Sequence, residues 1–265
     1  IIHCAKRKKG NVPPTIHIFP NQTALVETAA ELFVAWAETA VTQHGRFLVA
    51  LSGGGTPQAL FQRLSQPDYA QRPFWASTHV FWGDERLVPP DDDGSNYKMA
   101  ADLLLQHVPI PAENIHRAKG ELDPATAVTD YTRQLQQLAA TGQQWPQFDL
   151  ALMGLGSDGH TASLFPGPIP AAETEQPVIA VTANYDGRPA QRLTLTPLVF
   201  NDAAHILFLV TGEKKAQAVT AVLHAPPNPE QWPAQRIQPA HGQTTWLLDQ
   251  PAAQQLPNHH QTNPL

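Results

Sequence analysis

The chain has 265 residues, 42% of them hydrophobic, and no apolar run near the roughly 18 residues of a membrane span, which excludes an integral membrane protein and leaves room for one large domain or two small ones. Its 17 Lys and Arg against 23 Asp and Glu give a net charge of −6, and because Lys6, Arg7, Lys8 and Lys9 all lie in the first nine residues, the remainder carries 13 cations against 23 carboxylates. An acidic body repels polyphosphate at long range, which excludes general nucleic-acid binding and means that any phosphate site must be built from local positive charge.

The start, residues 1–13, reads as a disordered basic tail: its charges follow its apolar residues, the reverse of a secretory signal. Cys4, alone in the chain, cannot form an internal disulfide, which fits a reducing, cytoplasmic setting. Residues 15–19 (TIHIF) alternate as a first strand, and a helix-periodic apolar run follows over 24–41, with Asn21 or Thr23 as its cap and Gly45 as its end. Residues 47–51 (FLVAL) are apolar throughout, as in a strand buried on both faces, and SGGGTP at 52–57 leads into a helix from Pro57. The pattern then repeats. A strand at 79–82 ends in GDER, and Ser95 caps a helix running to about Gln106. A short strand at 114–117, a helix over 124–140 and a buried strand at 148–153 come next, the last ending in GLGSDGH. Strands at 178–182, 192–194 and 205–210, a helix over 214–224 and a final edge strand at 246–248 complete the chain, with Pro- and Gln-rich surface loops near 225–240. Apolar strands separated by helices require crossovers, so the expected fold is α/β: a mostly parallel, Rossmann-like sheet with helices on both faces, one catalytic domain over 14–250 and a C-terminal tail over 251–265.

Ligands of open α/β sheets bind outside the carboxyl ends of the strands, and three such ends carry unusual residues: 52–57, 83–86 and 154–160. In the first, Gly53, Gly54 and Gly55 let backbone N–H groups approach an anion closely and Pro57 fits the first position of the helix that follows, a phosphate cradle at a helix N-terminus without the Gly-Lys-Ser/Thr of a Walker loop; a plain strand–helix turn is the alternative. Gly154, Gly156 and Gly159 match the dinucleotide fingerprint G-x-G-x-x-G, but Pro166 and Pro168 leave no room for the long helix that fingerprint needs, and Glu173 and Glu175 lie in a loop. His160, delivered by that glycine-rich turn, has the chemistry to take a proton from water near neutral pH. Asp158 either orients its ring or holds the turn. Neither a His-Glu-x-x-His pattern, a cysteine cluster nor a calcium-loop spacing is present, so no metal and no cofactor is expected; Asp91–Asp93 read as a solvated loop and His259-His260 as tail.

Taken together, SGGGTP at 52–57, GDER at 83–86, SNY at 95–97, MGLGSDGHTASLFPG at 153–167, RLTLT at 192–196 and TGEKKA at 211–216 resemble the 6-phosphogluconolactonases, in the family's order and over most of the chain. The resemblance implies hydrolysis of 6-phospho-D-glucono-1,5-lactone, with His160 as the base that activates water. It places the 6-phosphate on Ser52, Gly53, Gly54 and Thr56 with Arg192 and Lys215 (or neighbouring Lys214), brings Arg86 to the site, and lets Asp84 accept sugar hydroxyls; Asp84 and Glu85 could instead be loop-stabilising carboxylates. A monomer with a small phosphorylated sugar lactone as its partner is expected. The glucosamine-6-phosphate deaminases share the fold and a similar turn, but Phe165 stands here in place of their proton-transferring carboxylate. A deaminase-like isomerase and a non-catalytic sugar-phosphate sensor are the alternatives.

Overall fold

The structure, a computed structural model, describes residues 13–183 and 189–257. The basic tail to residue 12, with Cys4, and the chain end, with His259 and His260, lie outside the described residues. In chain order the elements are β1 (Thr15–Phe19), α1 (Gln22–His44), β2 (Phe47–Leu51), α2 (Gly55–Leu64), α3 (Pro67–Ala70), β3 (Thr78–Trp82), β4 (Asp84–Arg86), α4 (Asn96–Leu103) and α5 (Pro124–Leu138). Then come β5 (Leu150–Met153), β6 (Val178–Thr182), β7 (Gln191–Leu195), α6 (Pro197–Phe200), β8 (His205–Val210), α7 (Ala216–His224), β9 (Gln243–Asp249) and α8 (Gln250–Ala253). Six strands form one parallel sheet in the order β1-β9-β8-β5-β2-β3, and β4-β7-β6 form a small antiparallel one.

The pleat explains why FLVAL has no polar residue. Phe47, Val49 and Leu51 face a core shared with α1, α2 and α4, while Leu48 and Ala50 face a second core with α5, α7 and the small sheet. Each fully buried Val, Leu or Phe contributes about 1.5–3 kcal/mol, so both faces of the strand hold it in place. Asn21, not Thr23, caps α1: its Oδ1 accepts from Ala24 N at 3.0 Å, and Gly45 closes the helix at φ 80°.

Two expectations are corrected. The strand at 246–248 is not an edge: β9 lies between β1 and β8, which is why Leu247 and Leu248 are fully buried. Residues 114–117 make only a bridge from Ile115 to Val80, and His116 N donates to Val80 O at 2.8 Å. The expected strand at 192–194 is present within β7, in the antiparallel sheet. After β9, α8 buries Ala252 and Ala253 beside α7. Among the described residues, no helix is long and apolar enough to cross a membrane.

Beside the edge strand β3, His79 Nδ1 and His116 Nε2 are 3.1 Å apart, and the His116 ring stacks on Phe81 at 4.4 Å. Burial, with a smaller contribution from the charge of His79, depresses His116 to about 4, against about 6.5 for a free imidazole. The unfolded chain therefore binds the extra proton, so this contribution to stability is complete above about pH 6.5 and is lost as pH falls towards 4. Urea midpoints measured between pH 7 and 5 should fall more steeply for the wild type than for His116→Phe. Equal slopes would remove His116 from the acid response.

Candidate active site

After β2 the chain turns towards β3, whereas after β5 it turns the other way, towards β8. The carboxyl ends of these two neighbouring strands therefore open a crevice at the topological switch point, where open α/β sheets bind ligands. Ser52 and Gly154 face each other across it: a Cβ on Gly154 would lie 3.9 Å from Ser52 Oγ. Gly54, at φ 103°, is the cap of α2 and offers no side chain, so the first N–H groups of that helix point along its axis at the end of β2. Gly53 is required by contact. A Cβ there would fall 2.2 Å from Asn96 Oδ1. Thr56 Oγ1 meets Thr211 Oγ1 at 2.8 Å, tying the first turn of α2 to the end of β8. Lys215 follows in the short 3-10 turn Glu213–Lys215, and its N donates to Gly212 O at 3.0 Å.

On the other side of the crevice, the turn after β5 presents His160. Gly156 N donates to His160 O at 2.7 Å, Gly159 N to Gly156 O at 3.1 Å, and Thr161 Oγ1 to Gly154 O at 2.8 Å, so the turn is held by its own backbone. Asp158 Oδ1 accepts from His160 N at 3.2 Å and lies 2.6 Å from His160 Nδ1. Both roles open for Asp158 are therefore filled by one oxygen. An ionised carboxylate only accepts, so Nδ1 carries the hydrogen and the ring's lone pair sits at Nε2. The ring lies 5.4 Å from that of Phe165.

The small antiparallel sheet supplies the charge. Asp84 pairs with Thr194 and Arg86 with Arg192 across β4 and β7, so pleating puts all four on one face. That face looks at the histidine loop, because Ser163 Oγ donates to Asp84 Oδ2 at 2.6 Å and Ser163 N to Thr194 Oγ1 at 3.4 Å. Two arginines directly opposite are mutually unfavourable, and on this face they share the strand pair with the carboxylate of Asp84. Arg86 Nη1 donates to Gly94 O. Glu85, on the opposite face, is structural: its carboxylate accepts from Arg86 N, Asn96 N and Tyr97 N, each at 2.7 Å, and from Ser95 Oγ at 3.1 Å. Burial pushes this carboxyl up and the three backbone donors oppose it. Asp84 is 7% exposed, with one oxygen committed to Ser163, so it too anchors a loop.

The structure thus gathers Ser52, Gly53, Gly54, Thr56, Asp84, Arg86, Asp158, His160 and Arg192 through a connected set of contacts, and Lys215 lies in the short turn that follows Thr211 in the chain. Asn96, Thr161, Ser163 and Thr211 were not recognised as individual site residues in the sequence, although each lies within or beside a recognised motif. Trp232 gave no signal at all. A Cβ on Gly159 would strike it at 2.6 Å, so it packs directly on the turn that carries His160. Among the described residues, no group of three or more His, Cys, Asp or Glu could hold a metal ion. A separate cleft of about 380 Å³ beyond Tyr97 contains none of these residues, and its cations Arg117, Lys119 and Arg133 are paired with Glu121 and Asp130.

Residues 20–246 match the family described as glucosamine-6-phosphate isomerases/6-phosphogluconolactonase. A 6-phosphogluconolactonase of Nostoc is 41% identical over 246 residues, covering 91% of this chain and 98% of its own. That of Haemophilus influenzae is 36% identical over 238 residues, covering 90% and 98%. Among solved structures, 6-phosphogluconolactonase from Trypanosoma brucei superposes with a TM-score of 0.80 at 29% identity, covering 92% of this chain and 99% of that one.

Proposed function

The chain belongs to the glucosamine-6-phosphate isomerase/6-phosphogluconolactonase family, and on that premise we propose that it hydrolyses its lactone with water activated by His160. The reaction is the opening of 6-phospho-D-glucono-1,5-lactone to 6-phosphogluconate. The observation that carries the mechanism is the 2.6 Å contact between His160 Nδ1 and Asp158 Oδ1, on a turn directly across the switch point from Ser52.

Neutral His160 accepts a proton from water at Nε2 while Asp158 steadies the Nδ1–H and the imidazolium that forms. The water oxygen bonds to C1, the carbonyl electrons move to its oxygen, and N–H groups of the Gly154–Gly159 turn supply positive potential near that charge. Collapse then breaks the bond from C1 to the ring oxygen, which receives the proton back from His160. The far 6-phosphate, held at Ser52, Gly53, Gly54 and Thr56 with Arg192 and Lys215, fixes C1 beside the water.

Phe165 disfavours the deaminase-like alternative. Its ring lies against His160, where an aldose–ketose isomerisation would need a carboxylate to carry protons. A coupled assay presenting freshly generated lactone and following acid release, with ammonia release from glucosamine 6-phosphate measured alongside, separates the two. Acid release no faster than spontaneous decay, with no ammonia released either, would leave only a sugar-phosphate sensor.

The phosphate cradle makes its own prediction. Each charged hydrogen bond removed is worth about 1.5–3 kcal/mol, so Lys215→Ala and Arg192→Ala should each raise KM roughly tenfold to a hundredfold with a smaller change in kcat. Unphosphorylated gluconolactone should be a poor substrate for the wild type. Equal kcat/KM for the two lactones would place the phosphate elsewhere.

A further inference from the structure

The segment from Asn228 to Arg236 lies in a Pro- and Gln-rich stretch whose composition reads as a surface loop, yet it is bonded to the catalytic turn on both sides of His160. Ala234 N donates to Gly159 O at 3.0 Å, and Trp232 packs on Gly159, whose φ is 82°. Beyond the histidine, Gly167 N donates to Glu230 O at 2.8 Å. Arg236 completes the grip. Its Nε donates to Pro229 O at 2.9 Å, Nη1 to Glu173 Oε1 at 2.9 Å, and Nη2 to Phe165 O at 3.1 Å.

The Arg236 and Glu173 side chains are 5% and 4% exposed. A buried ion pair is a weak source of stability, because desolvation offsets most of the attraction and apolar residues of the same size often serve as well. What apolar residues cannot reproduce is a rigid planar fork reaching three chain segments at once. One of the three is the carbonyl of Phe165, whose ring lies 5.4 Å from that of His160.

We propose that Arg236, set by Glu173, is a positioning residue for the lactonase: it fixes Phe165 and, through that ring, the orientation of His160. This rests on the reading of His160 as the base. The proposed phosphate cradle, on α2, after β8 and at Arg192 of β7, is not among the partners of the Arg236 fork, so loosening the fork should affect turnover and leave substrate affinity alone. A displaced catalytic group costs roughly tenfold to a hundredfold in rate.

The test uses two variants of the full chain, assayed well below their melting temperatures. Arg236→Met combined with Glu173→Leu removes both buried charges together; Arg236→Lys keeps the charge but, with a single nitrogen, cannot serve three directions. Each folded variant should lose roughly tenfold to a hundredfold in kcat with KM unchanged, Arg236→Lys without a comparable drop in melting temperature. Wild-type kcat per folded molecule in either variant, or a loss confined to KM, would overturn the proposal. If the double variant does not fold, Arg236→Lys decides alone. Wild-type protein that fails to accelerate lactone hydrolysis would instead refute the lactonase reading itself, so the two failures are distinct.

Discussion

His160→Ala should lower kcat for lactone opening by about 10²–10⁴, the usual contribution of a positioned general base, with KM nearly unchanged. The split follows from where the parts sit. The imidazole is on the turn after β5, whereas the proposed phosphate cradle is on α2 and the end of β8, joined by the 2.8 Å contact of Thr56 with Thr211, with Arg192 added from β7. Removing the ring takes away the proton acceptor and leaves the anchor. Because the turn is held by backbone bonds from Gly156 and Gly159 and by Thr161 Oγ1, the variant should keep its melting temperature, which circular dichroism can check. The substrate decays spontaneously, so rates must be taken on fresh lactone with the uncatalysed rate subtracted. Asp158→Asn gives the companion result: an amide can present its N–H to Nδ1 and move the ring's hydrogen to Nε2, so kcat should fall here too, with the ring still present. A His160→Ala enzyme with wild-type turnover would show that another group takes the proton.

The sequence carried the site further than it carried the architecture around it. FLVAL and the LALM stretch that follows Asp149 and ends at Met153 announce strands buried on both faces, because neither stretch has a polar residue, and their glycine-rich ends mark where a ligand can approach. Charged identity was legible as well: Arg86 and Arg192 were singled out by motif, and their register in β4 and β7 puts them opposite each other. What could not be read was partnership across long sequence separations. Trp246 and its neighbours looked like a closing edge because they come last, yet β9 inserts between β1 and β8, a choice made by tertiary pairing. Glu85 and Asp84 sit side by side and read alike. Alternation of the strand sends one to hold the Ser95–Tyr97 segment and the other to Ser163. Trp232 and Arg236 were invisible for a simpler reason. Their stretch has no periodicity, and proline-rich composition predicts a loop without saying that the loop packs on the catalytic turn.

Gly156→Ala should be nearly as damaging as removal of the histidine, costing roughly a hundredfold in kcat from a misplacement of about an ångström. The residue is not among the described glycines at positive φ, so alanine suits its backbone and the fold has no conformational reason to fail. The obstacle is contact. The new Cβ would lie 2.1 Å from His160 Nδ1 and 2.4 Å from Asp158 Oδ1, inside the hydrogen bond that sets the tautomer. Nor can the turn easily swing away, because Gly156 N and O are both engaged, with His160 O and Gly159 N. The ring must therefore rotate or separate from the carboxylate, and either change moves Nε2. Gly154→Ala, two residues earlier, places its Cβ in ordinary contact with Ser52 Oγ at 3.9 Å and should lose far less. Affinity for 6-phosphogluconate, measured by calorimetry, should survive in Gly156→Ala because the phosphate cradle is untouched. If Gly156→Ala turns over like the wild type while Gly154→Ala does not, the close approach of His160 and Asp158 is not what drives the chemistry.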